Sequence, residues 1–220
     1  DAYDYLFTSS SAIFNAYGIS AIVTVCGTIC NLTLTTLYAY PLSRKDLPGR
    51  HFFAFFLFFT MLFNGGLVPS YIMWTQTFHI KNTLAALLFP SLMMNAFYVI
   101  MMRTYFTTNI PDAVIEAARI DGAGELRILS QVVMPMSIPI IATLALLAGL
   151  AYWNDWYNAM LYISDNEMFP LQYFLYEQIN NIQAYRKILS SAASGAVAAA
   201  FNLPTQSLKL SLIHISEPTR

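Results

Sequence analysis

Charge is what this chain of 220 residues lacks most. Only 10% of it is Asp, Glu, Lys or Arg, whereas soluble domains carry about 25%. With 57% hydrophobic residues and a mean hydropathy of +0.52, a soluble globular domain is excluded. The net charge of −1 removes the electrostatic footprint of a nucleic-acid binder. There are two cysteines, Cys26 and Cys30, four apart within an apolar run. Helical geometry puts them on one face, too constrained for a disulfide with each other, so they read as small buried packing residues. No Cys/His cluster has metal-ligand spacing, which excludes a sequence-legible metal site. No phosphate-cradling Gly-Lys-Ser/Thr loop is present, so ATP has no place to bind here. The start shows no secretory signal pattern, and it is Asp1 rather than Met, which suggests that the natural N-terminus lies upstream.

What is present in abundance is long uncharged stretches. A membrane span needs about 20 consecutive apolar residues. Residues 13–40, 52–78, 82–102 and 137–154 each meet that requirement without a single charge. Helices are expected, because lipid offers no partner to open backbone groups. Gly65, Gly66, Pro69 and Pro90 then read as kinks covered by neighbouring helices. A fifth uncharged stretch, 188–208, is dominated by Ala and Ser. It fits either a span or, the reading preferred here, a surface or interfacial helix, since alanine is weakly driven into lipid.

Basic residues in the short loops set the orientation. Arg44, Lys45 and Arg50 lie between the first two spans, and Arg103, Arg119 and Arg127 between the third and fourth. Both loops are therefore expected in the cytoplasm, with residues 1–12 and 155–187 outside.

The second cytoplasmic loop carries the most information. In "NIPDAVIEAARIDGAGELRILSQVVMP", Pro111 and Asp112 suit a first helical turn, Gly122 ends or bends the helix, and a second piece runs from about Glu125 to Val133. Pro135 is expected to open the next span. Ala117, Ala118, Gly122, Ala123 and Gly124 leave little bulk at the bend, so another backbone can approach. Glu116, Arg119, Asp121 and Arg127 are expected as charged rim contacts, with Asp121 also helping to fix the turn.

The spacing E-A-A, three residues, Gly, nine residues, aliphatic, one residue, aliphatic, Pro is met at Glu116, Ala117, Ala118, Gly122, Val132, Met134 and Pro135. It resembles the cytoplasmic EAA loop of ABC importer permeases, and "EAARIDGA" resembles their carbohydrate-uptake, maltose-type branch. "AYPLSRKDLPGR", "NGGLVPSY", "LFP", "WNDWYNAMLYI" and "FPLQ" are similar to stretches of the same family, most closely of its members for complex oligosaccharides. The resemblance implies an all-α polytopic membrane protein, a type I importer transmembrane domain, of which about four of six spans and the coupling helix lie within residues 1–210. On this reading the chain is truncated at both ends. Its last ten residues, "SLIHISEPTR" (211–220), resemble the translation of a sequencing-library adaptor and read as a non-native tail.

The resemblance further implies that the chain is no enzyme and holds no cofactor, ATP being bound by ABC ATPase partners. A second permease subunit and an extracellular solute-binding lipoprotein complete the set, in the bacterial cytoplasmic membrane. The coupling residues would be Glu116, Ala117, Ala118, Asp121, Gly122 and Ala123, in a coupling loop over 109–133. Asn64, Asn95, Trp153 and Asn154 are candidates for the translocation path: amides bond sugar hydroxyls and aromatic faces stack on sugar rings. The alternatives are helix–helix contacts for the two span asparagines and interfacial anchoring for Trp153. Rival functions are a permease for a non-sugar solute or an ion-gradient transporter. The latter normally shows acids or bases within its spans, and these spans have none.

Overall fold

The computed structural model describes residues 11–192 apart from Ser91. Among the described residues the chain is helical, with no strand. Residues 193–220 fall outside them, so the tail at 211–220 and most of 188–208 lie outside the described residues.

Helix α1 (Ser11–Ser43) runs through 13–40 without interruption. Its stretch Ala12–Ser43 is, by itself, long and apolar enough to cross a membrane. Two further crossings count only if each of two bent helix pairs forms one span.

The first bent pair falls in the stretch 52–78, expected as a span kinked at Gly65, Gly66 and Pro69. Helix α2 (Arg50–Leu62) stops, and helix α3 (Leu67–Ile72), continued by a π turn at Met73–Thr77, departs at 109°. The break has a local cause. Asn64 Oδ1 accepts the backbone N–H of Gly66 at 2.9 Å, replacing a helical bond with a side-chain turn. Gly66 itself sits at φ +90, a conformation that disfavours any side chain.

The stretch 82–102 is likewise divided. Helix α4 (Leu84–Leu88) spans five residues, and Pro90 follows. Helix α5 (Ala96–Asn109) then begins at Asn95, whose side chain caps Phe97 N–H at 2.9 Å, and runs beyond 102. The second bent pair turns by 84° at Ser137. Helix α6 (Asp112–Ile120) and helix α7 (Glu125–Ile128) precede a π turn at Leu129–Val133 and helix α8 (Met134–Met136). Helix α9 (Ile138–Trp153) follows. Pro135 therefore sits before the bend rather than opening the apolar helix. Helix α10 (Tyr157–Tyr162) and helix α11 (Leu171–Ala192) complete the described chain.

The chain divides into two compact units. One comprises Val23–His79 and Leu88–Tyr152. Its core joins Ala39, Tyr40 and Leu42 of α1, Leu57 of α2, Val99, Met102 and Phe106 of α5, Ile115 of α6, Ile128 of α7 and Leu144 of α9. Asn31, fully buried, donates to Leu92 O at 2.6 Å, so this polar group within an apolar helix is satisfied. Gly27 lets the Tyr152 ring come close: an added Cβ would stand 2.6 Å from it.

The other unit takes in the described residues of Asp1–Ile22, Ile80–Leu87 and Trp153–Arg220. Leu171 and Leu175 pack there against Tyr17, Trp153, Phe174 and Ile179. Leu171 N–H donates to Ser20 Oγ at 2.7 Å, and Ser164 N–H to Asn82 Oδ1 at 2.6 Å.

Burial is inverted relative to a soluble domain. Helix α2 leaves Phe52, Phe53, Phe55, Phe56, Phe58 and Phe59 exposed, with Leu57 alone buried. Exposed apolar surface on this scale marks contact with lipid or another protein. Cys26 and Cys30 lie on such a surface too. This corrects the reading that they pack inside: their shared helix face points away from the core.

Candidate functional site

The loop between α5 and α9 folds as a helix–turn–helix, and its turn is fixed by backbone bonds. Gly122 N–H donates to Arg119 O at 3.0 Å and Ala123 N–H to Ala118 O at 3.0 Å. This pair of bonds, with Gly122 at φ +79, is a Schellman motif. Ala118 and Ala123, on either side of the turn, are both partly buried against the core of the unit. Glycine is favoured at 122 because the left-handed conformation costs most other L-residues about 1–2 kcal/mol.

The six coupling candidates therefore part into two groups. Ala118 and Ala123 face inward and hold the turn closed. Glu116, Ala117, Asp121 and Gly122 are exposed. Asp121 contributes to the turn through its backbone N–H, which donates to Ala117 O at 3.0 Å, rather than through its carboxylate. A Cβ added at Gly122 or Gly124 would meet nothing within 4 Å, so the surface around the bend is open.

Two residues outside that set are brought to the same surface. Ile120 is 86% exposed and Leu126 75%, extreme values for large apolar side chains. They flank the turn, while Ile115 and Ile128, from the same two helices, are buried. Sequence periodicity signals the buried pair. The exposed pair shows only as aliphatic residues on either side of a glycine bend, three before Ala123 and three after it.

Arg119 departs from its expected rim role. Its guanidinium reaches Asp46 at 2.8 Å and Glu125 at 2.9 Å. Tyr40 donates its hydroxyl to the other oxygen of Glu125 at 2.5 Å. At the start of α6, Asp112 accepts from Lys45 at 2.8 Å, with Arg44 3.9 Å away. The Tyr40 hydroxyl, and after it the Arg119 guanidinium, hold the Glu125 carboxyl below the usual carboxylate range. The Lys45 ammonium does the same for Asp112. Glu116, Asp121 and Arg127 carry no hydrogen bond or ion pair from their side chains among the described residues.

The translocation-path candidates fall in different places. Asn64 and Asn95 spend their amide oxygens on Gly66 and Phe97, as turn and cap. Trp153 is half-buried, its ring 6.3 Å from that of Tyr17. Asn154 accepts from Gln172 at 3.5 Å. Next to them is Asp155, which the sequence reading passed over. It accepts from Tyr157 N–H at 3.1 Å, Asn158 N–H at 3.2 Å and the Asn158 amide at 2.7 Å. Burial pushes its carboxyl up, against the pull of those bonds.

Residues 51–212 match the family model for the inner membrane component of binding-protein-dependent transport systems. The polygalacturonan/rhamnogalacturonan transport system permease protein YtcP of Bacillus subtilis (strain 168) is 35% identical, over 98% of this chain and 72% of its own length. The arabinooligosaccharides transport system permease protein AraQ of Halalkalibacterium halodurans is 28% identical, over 78% of this chain and 61% of its own. Among solved structures, a bacterial ABC transporter involved in the import of the acidic polysaccharide alginate matches with a TM-score of 0.74 and 31% identity. That match covers 83% of this chain and 65% of the other.

Proposed function

We propose a function from one premise: the chain belongs to the family of binding-protein-dependent transport system inner membrane components, in its carbohydrate-uptake branch. As such it is a membrane transport component and not an enzyme. Its role is that of one permease half of an ATP-driven importer for carbohydrate oligomers. It crosses the bacterial cytoplasmic membrane several times, with the α6–α7 bend on the cytoplasmic side.

A second permease completes the path, a solute-binding lipoprotein delivers the sugar outside, and two ATPase subunits bind the ATP. Closure of the ATPase dimer pushes the bend, and the helices exchange an inward-facing for an outward-facing arrangement. ATP drives this by binding one arrangement more tightly than the other. The observation that supports the docking role is the bend itself. A backbone-locked turn presents Ile120 and Leu126 outward, with unpaired Glu116, Asp121 and Arg127 around them. Apolar residues ringed by polar groups match the core-and-rim composition of a protein interface.

The sugar assignment rests on the relatives, whose names specify polygalacturonan and rhamnogalacturonan, arabinooligosaccharides, and the acidic polysaccharide alginate. The test is co-purification of the full-length protein with the products of its neighbouring genes, followed by sugar-stimulated ATPase and uptake assays. Gly122→Trp is expected to insert in the membrane normally and to abolish uptake, because the indole occupies the open face of the bend. Normal uptake by that variant, or co-purification without any ATPase, overturns the proposal.

A further inference from the structure

Helix α6 is tied at both ends to the segment that follows α1. Asp112 at its start bonds Lys45 at 2.8 Å, and Arg119 at its end bonds Asp46 at 2.8 Å. Glu125, on α7, bonds both Arg119 and the hydroxyl of Tyr40, a residue of α1 itself. Beneath these polar ties, Ala39, Tyr40 and Leu42 share one core with Ile110, Ile115, Ile128 and Leu129. The two segments are far apart along the chain, 67 residues between Lys45 and Asp112 and 85 between Tyr40 and Glu125. Through the backbone, a push on the bend reaches α5 and α9. It reaches α1 through these ties and through the shared core beneath them.

We propose that Tyr40, Lys45, Asp46, Asp112, Arg119 and Glu125 form a strap that carries motion of the α6–α7 bend into helix α1. They are positioning residues: each acts through the bend and touches neither nucleotide nor sugar. The inference rests on the docking role proposed above. The pairs are solvent-exposed, with Asp46 at 70% and Lys45 at 73%, and exposed ion pairs stabilise a fold very little. Their geometry suits another purpose. Ties at both ends of a nine-residue helix prevent it from rocking independently of α1.

The test uses the complete transporter, reconstituted with its ATPases, sister permease and binding protein, and compares the wild type with Lys45→Ala/Asp46→Ala and with Asp46→Glu. The readouts are ATPase retained on purification, thermal stability, and ATP hydrolysed per sugar taken up. The double variant is expected to keep its ATPase and its melting temperature. Its ATP cost per sugar is expected to rise about 5-fold or more, in the range of measured inter-site couplings. Asp46→Glu is expected to stay coupled. Tyr40→Phe, which deletes a single hydroxyl, is expected to shift coupling in the same direction with no effect on assembly.

A change in coupling below about 2-fold in both the double variant and Tyr40→Phe overturns the strap while leaving docking intact. Loss of the ATPase from the double variant also overturns it, because the ties would then build the docking face rather than transmit its motion. A wild-type complex that retains no ATPase removes the docking role and the strap together.

Discussion

Truncation of Ile120 and Leu126 to alanine probes the docking surface most directly. Each change removes three carbons from a side chain that is almost entirely free in the isolated chain, 86% and 75% exposed. At about 0.8 kcal/mol per buried CH2, a side chain that becomes fully covered by a partner loses roughly 2 kcal/mol. That corresponds to about a 30-fold weaker complex for each variant, and about a 1,000-fold weaker complex for the double variant if the sites act independently. The intramolecular cost is small for the same reason: substitutions at exposed sites without special features stay within about 0.5 kcal/mol. The assay is a titration of purified ATPase subunit against the permease pair in nanodiscs, read by fluorescence anisotropy, beside a thermal melt of the permeases. Leu62→Ala, on α2 and 72% exposed, serves as the control with no expected effect on ATPase affinity. Affinity unchanged within about 3-fold in the double variant would refute the assignment. Parallel losses of stability and affinity would refute the premise that these side chains are free.

Other outcomes follow from local geometry. Gly27→Leu should destabilise the unit around it by about 1–3 kcal/mol or more, because the Tyr152 ring already occupies the Cβ position and Tyr152 is fixed by a bond to Leu88 O; thermal melts of Gly27→Leu alone and with Tyr152→Ala check this, relief in the double variant being expected. Gly122→Ala, which keeps the open face, should lower stability by about 1–2 kcal/mol through backbone strain alone and leave uptake per folded protein nearly intact. The Glu125 carboxyl is held low in the fold by Tyr40, so its contribution to stability is complete above the ordinary carboxylate range and fades as pH falls through the depressed value; a melting series from pH 7 to pH 3 should show a shallower acid limb in Tyr40→Phe than in the wild type. Asp155→Ala removes the acceptor for three donors at the start of α10 and should cost on the order of 1–2 kcal/mol, with Asp155→Asn milder, as read by denaturation in detergent.

Much of the candidate site was legible before any coordinates. Gly122 marks the bend because few residues besides glycine tolerate its backbone, and Ala117 and Ala118 mark a helix that nothing bulky protects. The outward turn of Ile120 was not legible. A helix of nine residues with several apolar positions has more than one face that looks buried, and only the burial of Ile115 in a core shared with Phe106, Ile110 and Ile128 settles which one is. The local role of Asn64 and Asn95 was not legible for a related reason. An amide in an apolar stretch suggests a polar pathway or a helix–helix contact, and here each oxygen also closes its own backbone turn within two residues.

The apolar runs and the spacing of charges determined by themselves that this chain belongs with a membrane, that its regular structure is helical, and that a charged bend interrupts its apolar runs. These are one-dimensional properties, fixed by transfer free energy and by the backbone's need for partners. Tertiary structure alone decided which charges around the bend are paired and which are free. Arg119 and Asp46 lie 73 residues apart, and no local rule of composition or spacing joins them. Their pairing is set by how α1, α5, α6 and α7 close over a common core.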